Sequence, residues 1–336
     1  MRFEVTAQTV EGVETVCLRD TESGAAAHIL PQLGGTVWRL ALGAAILESD
    51  RPGELEANPG FRGRLLLPFN DRIPAGHYRF DGREYELPVN DAASGCAVHG
   101  LVYDRPFTAD TRGADDSHAS LELSYRIAPG SFPGYPFALR IIAGYRLDSD
   151  RFELSLAAMN EGEEAAPITM GWHPYIATPG GVDAARMTCP AGRFVEVDRD
   201  LLPTGALPSV TGGRLDFATP RRIGARQLDI ALERIGGAPA EVVPAGERRP
   251  GAVRAATART VVERGEDAVI LEQGLPPFRY TQLYIPPQRT SIAVEPVSGA
   301  TDAFNRPELG LRRLAPGERI EGRVAVRRER AGRPDG

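Results

Sequence analysis

Two histidines lie at turns of the chain, where a side chain can be presented to a cleft. His173 lies in the apolar, aromatic stretch "ITMGWHPYIAT", between Trp172 and Pro174, and His99 precedes a glycine in "SGCAVHGLVYD". A lone histidine in such a place is often a buried structural residue, so neither motif is specific by itself. The other three histidines are expected to have surface or structural roles: His28, His77 and His118.

Three charged residues occur in unusually apolar or turn-rich sequence. Arg72 follows the apolar run of "LLLPFNDRIPAG", Glu295 ends an apolar strand in "TSIAVEP", where a proline is expected to stop the ladder, and Asp229 lies within "QLDIAL". Taken singly, each has a structural explanation: a salt-bridged arginine, a solvated strand end and a surface aspartate. Together with two imidazoles they suit proton transfer on a neutral, hydroxyl-rich substrate, where one general acid or base contributes about 10²–10⁴-fold. Sequence spacing does not show that they converge.

Strands dominate the elements that must position these side chains. Apolar residues alternate with polar ones in "SLELSYRI", "RFELSLAAM", "TSIAVEP" and "RIEGRVAV", which predicts half-buried antiparallel strands. Asp81-Gly82 in "HYRFDGREYEL" predicts a hairpin turn. A short helix is predicted over Ala225–Ile235, and no strand–helix alternation appears. The pattern predicts one large antiparallel β-sandwich with few short helices.

Composition excludes several classes of function. The 336 residues carry a net charge of −6, which argues against a nucleic-acid partner. No apolar run is long enough to span a membrane, and the amino terminus lacks the apolar core of a signal peptide. Three widely spaced cysteines, Cys17, Cys96 and Cys189, fit neither a disulfide framework nor a zinc site. We therefore expect a cytoplasmic protein.

The chain is predicted to form one domain over residues 1–330, followed by a frayed tail at 331–336. The periodicity fades between Gly236 and Ala268, where proline, glycine and charged residues increase. That segment is predicted to be a long loop plus a surface hairpin within the same domain. The sequence carries no prediction of oligomeric state.

Five motifs in order resemble the aldose 1-epimerases, also called galactose mutarotases, over roughly residues 5 to 328. They are "PFNDRIPAGHYRFDGREYELPVN", "VHGLVYDRPF", "YPFALRIIAGYRLDSDRFELSLAAMNEG", "GWHPYI" and "SIAVEPVSGATDAFN". The resemblance implies a galactose mutarotase-like β-supersandwich and an isomerase that acts on a small-molecule sugar without a metal or an organic cofactor. It also implies interconversion of α and β anomers of an unphosphorylated aldose such as galactose or glucose.

The resemblance assigns roles to the five candidate residues. Glu295 looks like the base that takes the proton of the C1 hydroxyl, and His173 looks like the acid that protonates the ring oxygen. His99 and Arg72 correspond to residues that hold the sugar, and Asp229 matches a carboxylate that binds sugar hydroxyls. As a proton donor, His173 is predicted to have a negative neighbour or a backbone carbonyl that supports an imidazolium.

Departures from the family pattern leave the substrate open. Asp71 is inserted beside Arg72, where the family commonly reads N-R-I, and could pair with the guanidinium and weaken its contact with sugar. Two alternatives remain: a hexose-6-phosphate 1-epimerase, which would need Arg or Lys from "RGRLLL" or "ATPRRIGARQ" around the pocket mouth, and a carbohydrate-binding protein without catalysis. A binding protein would not need a matched acid and base.

Overall fold

A computed structural model describes residues 1–234, the backbone of 243–244, and residues 256–330. The predicted tail at 331–336 and much of the segment Gly236–Ala268 lie outside the described residues. Helical structure in the described part is limited to two short 3-10 turns, Pro52–Glu54 and Pro307–Leu309. The strands, in chain order, are β1 Phe3–Val10, β2 Val13–Asp20, β3 Ala26–Leu30, β4 Thr36–Ala41, β5 Leu65–Leu66, β6 Arg72–Pro74, β7 His77–Phe80, β8 Arg83–Glu86, β9 Cys96–Val98, β10 Thr108–Ala114, β11 Ala119–Ile127, β12 Leu139–Leu147, β13 Arg151–Asn160, β14 Ala166–Ile168, β15 Gly171–Trp172, β16 Tyr175–Ala177, β17 Arg186–Cys189, β18 Ala191–Phe194, β19 Phe217–Arg222, β20 Asp229–Arg234, β21 Val243–Pro244, β22 Ala256–Arg264, β23 Asp267–Leu275, β24 Tyr280–Tyr284, β25 Ser291–Val297, β26 Arg312–Leu314 and β27 Glu318–Arg330.

The largest sheet has ten strands, in the order β10-β11-β12-β13-β27-β23-β22-β17-β19, with β21 paired to β27. Its strands confirm the period-two prediction. On β13 the side chains of Phe152, Leu154 and Leu156 are fully buried, while the intervening residues are partly exposed. One face therefore packs into the main core and the other meets solvent.

A seven-stranded sheet, in the order β18-β20-β24-β25-β15-β5 with β16 beside β25, holds the residues of chemical interest. Its central strand β25 is buried at every position, so the prediction of a half-buried strand is wrong there. Ile292 and Val294 belong to the main core, and Glu295 leaves the opposite face. Pro296 does not end the strand, because Val297 still pairs with β24 and β15.

The predicted helix over Ala225–Ile235 is wrong. Residues Asp229–Arg234 form β20, which pairs with β24 on one side and β18 on the other. An isolated helix of about eleven residues is marginal in water. Two flanking strands satisfy the backbone hydrogen bonds of this segment instead, so tertiary pairing overrides the local pattern.

Both predicted hairpins form in the structure. Asp81 and Gly82 have positive φ values of 46° and 81° between β7 and β8, which confirms the first. The hairpin within the Gly236–Ala268 segment is formed by β22 and β23, and one face of β22 is partly exposed. Both strands have a further neighbour in the ten-stranded sheet, β17 for β22 and β27 for β23.

Candidate active site

Strand register places His173 directly opposite Glu295. β15 and β16 both pair with β25 in the same register. His173 lies between these two short strands, at the position opposite Glu295. On the other side of β25, Gln282 is the partner of Glu295. Opposed residues of antiparallel strands point to the same face, so the three side chains form a row. The His173 Nε2 atom lies 3.5 Å from Oε1 of Glu295, with both side chains almost fully buried.

The neighbours of His173 explain its orientation. Trp172 points to the opposite side, where its Nε1–H donates a hydrogen bond of 3.2 Å to the carbonyl of Gly63. The ring of Tyr175 stacks on the imidazole with centroids 5.0 Å apart and planes 2° apart. The Tyr175 hydroxyl donates to the carbonyl of Gly60 at 2.9 Å. Packing thus fixes the imidazole plane, and it excludes water from one face of the ring.

Arg72 and His99 come from a separate pair of strands, β6 and β9. Arg72 begins β6 opposite Val98, and His99 follows β9 directly. The His99 N–H donates to the carbonyl of Asp71 at 3.0 Å, and the Asp71 N–H donates to Nδ1 of His99 at 3.3 Å. Both residues have positive φ, 59° for Asp71 and 61° for His99. This reciprocal contact directs the two side chains toward the same pocket.

The tautomer of His99 follows from that contact. Since Nδ1 accepts a hydrogen bond, the ring proton lies on Nε2, and His99 can offer it to a ligand oxygen. Burial lowers the pKa of His99 to about 4, so the ring is neutral at pH 7. The ring of Phe61 packs against it at 4.6 Å. His99 is therefore suited to hydrogen bonding rather than to proton transfer.

Arg72 is held between two carboxylates. Its Nη1 lies 3.2 Å from Oδ1 of Asp71, and its Nη2 lies 3.3 Å from Oδ2 of Asp229. Asp71 does pair with Arg72, as the sequence suggested it could. The second oxygen of Asp71 accepts a hydrogen bond of 2.6 Å from the hydroxyl of Thr301. Burial opposes the charge of Arg72, but Asp71 and Asp229 outweigh it and raise the pKa of the guanidinium.

Gln282 joins the two groups of side chains. Its Nε2–H donates to Oδ1 of Asp229 at 2.7 Å, while its backbone lies opposite Glu295. The carboxyl of Asp229 has a raised pKa, mainly because it is buried, although Arg72 counteracts this. Asp229 is thus bound from two sides and has a fixed orientation in the pocket wall.

The loop that forms the opposite wall is anchored by a fully buried arginine. Arg64 donates from Nε to Oδ1 of Asn58 at 3.2 Å, from Nη2 to the carbonyl of Leu55 at 2.6 Å, and from Nη1 to the carbonyl of Tyr103 at 2.9 Å. It has no carboxylate partner among the described residues, so its hydrogen bonds go to uncharged oxygens. Arg64 therefore holds the segment containing Asn58 and Phe61 in place.

All five predicted residues line one cavity of about 430 Å³. The structure brings together the candidates from four distant parts of the chain, whereas the three histidines assigned surface or structural roles lie outside this lining. Sequence reasoning missed several lining residues. The polar and aromatic ones are Asn58, Phe61, Asn90, Asp91, Gln282 and Tyr284. A glutamine inside the apolar strand "YTQLY" is the one local signal that could have pointed to Gln282.

Burial disfavours the charged forms of both Glu295 and His173. The pKa of Glu295 is raised well above its usual value, first by burial and then by Asp71 and Asp229. The pKa of His173 is lowered well below its usual value, first by burial and then by the neighbouring His99 and Arg62. Across the 3.5 Å contact, burial therefore favours a carboxylic acid facing a neutral imidazole over an ion pair.

The expectation for His173 is met in one respect and wrong in another. An acidic neighbour is present, the carboxyl of Glu295 at 3.5 Å, but burial disfavours both the carboxylate and the imidazolium. A neutral pair and an ion pair contain the same number of protons. They differ only in which partner carries the shared proton, so the two residues titrate as a unit.

The described part of the chain has neither a metal-binding cluster nor a membrane-spanning helix. No cluster of three or more His, Cys, Asp or Glu side chains within residues 1–234 and 256–330 could hold a metal ion. None of the helices in the described part of the chain is long and apolar enough to cross a membrane.

Comparisons with known proteins identify the family to which the sequence is similar. A family model described as aldose 1-epimerase matches residues 16–327. The galactose mutarotase of Homo sapiens is 28% identical over 197 residues, covering 57% of this chain and 54% of that protein. The uncharacterized protein YihR of Escherichia coli is 33% identical over 169 residues, or 50% of this chain and 53% of that protein. The chain thus spans about half the length of these curated relatives.

Solved structures match over nearly the whole chain. A galactose mutarotase-like protein from Clostridium acetobutylicum has a TM-score of 0.80 at 18% identity, covering 98% of this chain and 99% of that one. A galactose 1-epimerase from Lactobacillus acidophilus has a TM-score of 0.78 at 18% identity, with the same coverage. These likenesses confirm the predicted all-β, galactose mutarotase-like fold.

Proposed function

This chain belongs to the aldose 1-epimerase family, and we propose that it interconverts the α and β anomers of an unphosphorylated aldose such as galactose or glucose. One observation carries the proposal: Glu295 and His173 lie opposite each other, 3.5 Å apart, in the wall of a polar cavity of about 430 Å³. That volume is in the range of small-molecule sites. The reaction needs one group that takes a proton and one that gives a proton on adjacent oxygens.

Ring opening uses the pair in its charged form. Glu295 takes the proton of the C1 hydroxyl while His173 gives its proton to the ring oxygen, so the bond between C1 and the ring oxygen breaks. An open-chain aldehyde with a C5 hydroxyl results. After rotation about C1–C2, His173 takes the C5 hydroxyl proton and Glu295 returns a proton to O1. Both groups end as they began, and no cofactor enters this balance.

The neutral pair becomes the charged pair by one internal proton transfer. A C1 hydroxyl that donates to Glu295 stabilises the carboxylate, and a ring oxygen that accepts from His173 stabilises the imidazolium. Since the total number of protons is unchanged, this transfer needs no exchange with solvent. We infer that contact with the sugar, rather than the protein alone, selects the reactive charge state.

The charge of the pocket favours an unphosphorylated sugar. Among the described residues that line it, Arg72 is the one permanent cation, and its charge is shared by Asp71 and Asp229. Asp91 and Glu295 add two further acidic groups. A phosphate would therefore meet more carboxylates than guanidinium groups, and like charges at close range repel.

The two arginine-rich segments considered for phosphate do not supply a free cation at this site. Arg62 is paired to Asp50 at 2.9 Å and Glu48 at 3.3 Å, and Arg64 is buried. Arg226 of the second segment donates to the carbonyls of Arg222 and Ile223. This arrangement supports the neutral-sugar proposal over hexose 6-phosphates.

Polarimetry tests the proposal. The protein is mixed with freshly dissolved α-D-glucose or α-D-galactose, and the change in optical rotation is compared with the spontaneous rate. Glu295→Gln keeps the shape of the side chain and removes the base, so kcat/KM should fall at least about 10²-fold. Glu163→Gln makes the same chemical change at an exposed position and should leave kcat/KM unchanged.

Three results would count against the proposal. No acceleration with any common aldose would refute it, and full activity in Glu295→Gln would refute the assigned base. Faster turnover of glucose 6-phosphate than of glucose would favour the phosphosugar alternative. Tight sugar binding without any acceleration would favour a binding protein.

A further inference from the structure

The imidazole of His173 is oriented by packing rather than by a hydrogen bond at each end. Its Nε2 faces Glu295 at 3.5 Å, but Nδ1 is buried and makes no hydrogen bond to another residue in the described part of the chain. In a Ser-His-Asp triad, by contrast, a hydrogen bond to the second ring nitrogen holds the histidine in place. The groups packed around His173 must therefore fix its orientation instead.

Two rings and one cation form the surroundings of this imidazole. The ring of His99 meets it edge-on, with centroids 5.1 Å apart, and the ring of Tyr175 stacks on it. The guanidinium carbon of Arg62 lies 4.8 Å from the centroid of the same Tyr175 ring. A cation over a tyrosine face is attracted by the ring. Arg62 therefore reaches His173 through Tyr175, from a position outside the pocket lining.

Backbone hydrogen bonds register the segment that carries Arg62 against His173 itself. The Gly63 N–H donates to the carbonyl of His173 at 2.9 Å, and the His173 N–H donates to the carbonyl of Arg64 at 3.0 Å. Arg62 is the next residue along this segment. Its backbone is thus fixed relative to the strand pair that presents the imidazole.

Two carboxylates hold the guanidinium of Arg62 over the tyrosine ring. Its Nη1 lies 2.9 Å from Oδ1 of the buried Asp50, and its Nη2 lies 3.3 Å from Oε1 of Glu48. The Glu48 N–H donates to the carbonyl of Tyr175 at 2.9 Å. The carbonyl of Asp50 accepts a hydrogen bond of 2.9 Å from Nε1 of Trp38. Both acids are therefore anchored, and the guanidinium between them has a fixed position.

We propose that Arg62 is a positioning residue for His173, which holds the ring of Tyr175 against the imidazole so that Nε2 stays directed at Glu295. The inference rests on the proposed function for the role of His173. It adds to that function a residue that lies outside the pocket and acts through another side chain.

The position of Arg62 also affects the charge of His173. A positive charge one ring away disfavours an imidazolium, and Arg62 is among the groups that lower the pKa of His173. Its partners Asp50 and Glu48 are not among the main influences on that pKa. The other titratable or charged groups around the imidazole are Glu295 on β25, Arg72 on β6, Tyr175 on β16 and His99 after β9.

The pH dependence of anomer exchange tests the inference on the full chain. Arg62→Met removes the charge, so the Glu295–His173 pair should bind both its shared proton and a second proton more readily. Both limbs of the kcat/KM profile should therefore move to higher pH, by at least about half a pH unit. A less well held and more basic His173 is a poorer acid, so kcat should fall at least about threefold. KM should change less than about twofold, because Arg62 does not line the pocket.

A conservative variant and a matched control accompany this measurement. Arg62→Lys keeps a cation and should leave both limbs within about 0.2 pH units of the wild type. Arg2 lies over the ring of Phe3 and pairs with the buried Asp20 at 2.7 Å, as Arg62 pairs with Asp50. Arg2→Met should change neither the limbs nor kcat. Limbs that stay in place or move to lower pH in Arg62→Met would overturn the inference, even if activity falls.

A double variant guards against misfolding. Arg62→Met leaves the buried Asp50 without its cation, and an uncompensated buried charge is strongly destabilising. Arg62→Met/Asp50→Asn removes both charges and should move the limbs in the same direction as the single variant. A shift to lower pH, or none, in a folded double variant would overturn the inference.

Nuclear magnetic resonance separates this inference from the proposed function. The five histidines are labelled with ¹⁵N, and His173→Gln identifies the signals of His173. Ring nitrogen shifts then report the charged fraction of His173 without a substrate, and this fraction should be higher in Arg62→Met than in the wild type. Identical signals at every pH would overturn the inference. A wild-type protein that accelerates no aldose but shows the difference would refute only the proposed function.

Discussion

Two groups of ionisable side chains share one pocket and respond to burial in opposite ways. In the first, Glu295 and His173, burial is the largest influence on the pKa values and favours the uncharged form of both side chains. In the second, Arg72 between Asp71 and Asp229, opposite charges in contact outweigh burial and the guanidinium stays charged. A pair near its neutral state can pass a proton, whereas a guanidinium held between two carboxylates keeps its charge and its position.

The backbone that supports the first group also differs from the backbone that supports the second. Glu295 and His173 are set by strand register in the middle of a sheet. Asp71 and His99 are set by two residues with positive φ and by mutual hydrogen bonds at the ends of short strands. Glu295 and His173 are thus built into the sheet, whereas Asp71 and His99 are mounted on turns.

Removing the charge of Arg72, at the centre of the second group, should have the largest effect on activity and on stability. Arg72→Met leaves Asp71 and Asp229 without their cation, so we expect kcat/KM to fall about 10–100-fold and the free energy of unfolding to fall about 1–3 kcal/mol. Arg72→Lys keeps a charge but loses the two-pronged contact, and its loss should be smaller. Polarimetry and urea unfolding check both. An unchanged kcat/KM in Arg72→Met would show that the cluster does not hold the ligand.

Neutralising Asp71 should move the pH dependence of the first group. The negative charge of Asp71 raises the pKa of Glu295, so Asp71→Asn lowers that pKa. The Glu295–His173 pair then loses its shared proton at lower pH. The alkaline limb of the kcat/KM profile should therefore move to lower pH.

Asp91 provides the control for that shift. It lines the same pocket, but its carboxylate accepts hydrogen bonds from Ser94 and Ala93 and does not appear among the influences on Glu295. Asp91→Asn should leave the alkaline limb in place. A shift to higher pH in Asp71→Asn would contradict the electrostatic account of the pair.

Removing the hydroxyl of Tyr175, whose ring stacks on His173, should have the smallest effect on activity. Tyr175→Phe keeps the stacked ring but loses the hydrogen bond to Gly60, so the free energy of unfolding should fall by about 0.5–1.5 kcal/mol. Activity should change only a few-fold, because the ring still fixes the imidazole plane. Tyr125→Phe, in the ten-stranded sheet, serves as the matched control. A large loss of activity would show that the hydroxyl itself contributes to catalysis.

Much of the fold could be predicted because its signals are local. Alternating polarity is carried by neighbouring residues, so β11, β13 and the hairpin at Asp81-Gly82 are recognisable from sequence. β20 was mistaken for a helix because its strand character comes from β18 and β24, which lie far away in sequence. Local sequence context singled out the five candidate residues and the family resemblance assigned their roles, but no local signal shows that they meet.

The parts of the site that escaped prediction depend on register and burial. Glu295 and His173 are 122 positions apart in sequence, and only the pairing of β25 with β15 and β16 brings them together. Gln282 gains its place from the same register. The shifted pKa values of Glu295 and His173 arise from the complete burial of both side chains, which a sequence pattern does not quantify.

The central claim is that Glu295 and His173 act on the sugar as one proton-sharing unit, and a double-variant comparison tests it most directly. Rates of anomer exchange are measured for Glu295→Gln, His173→Gln and the combination. Each single change removes the partner that sets the other's protonation, so the double variant should be no more than a few-fold slower than the slower single variant. Losses that multiply would contradict the account, because they would mean that the two residues act independently.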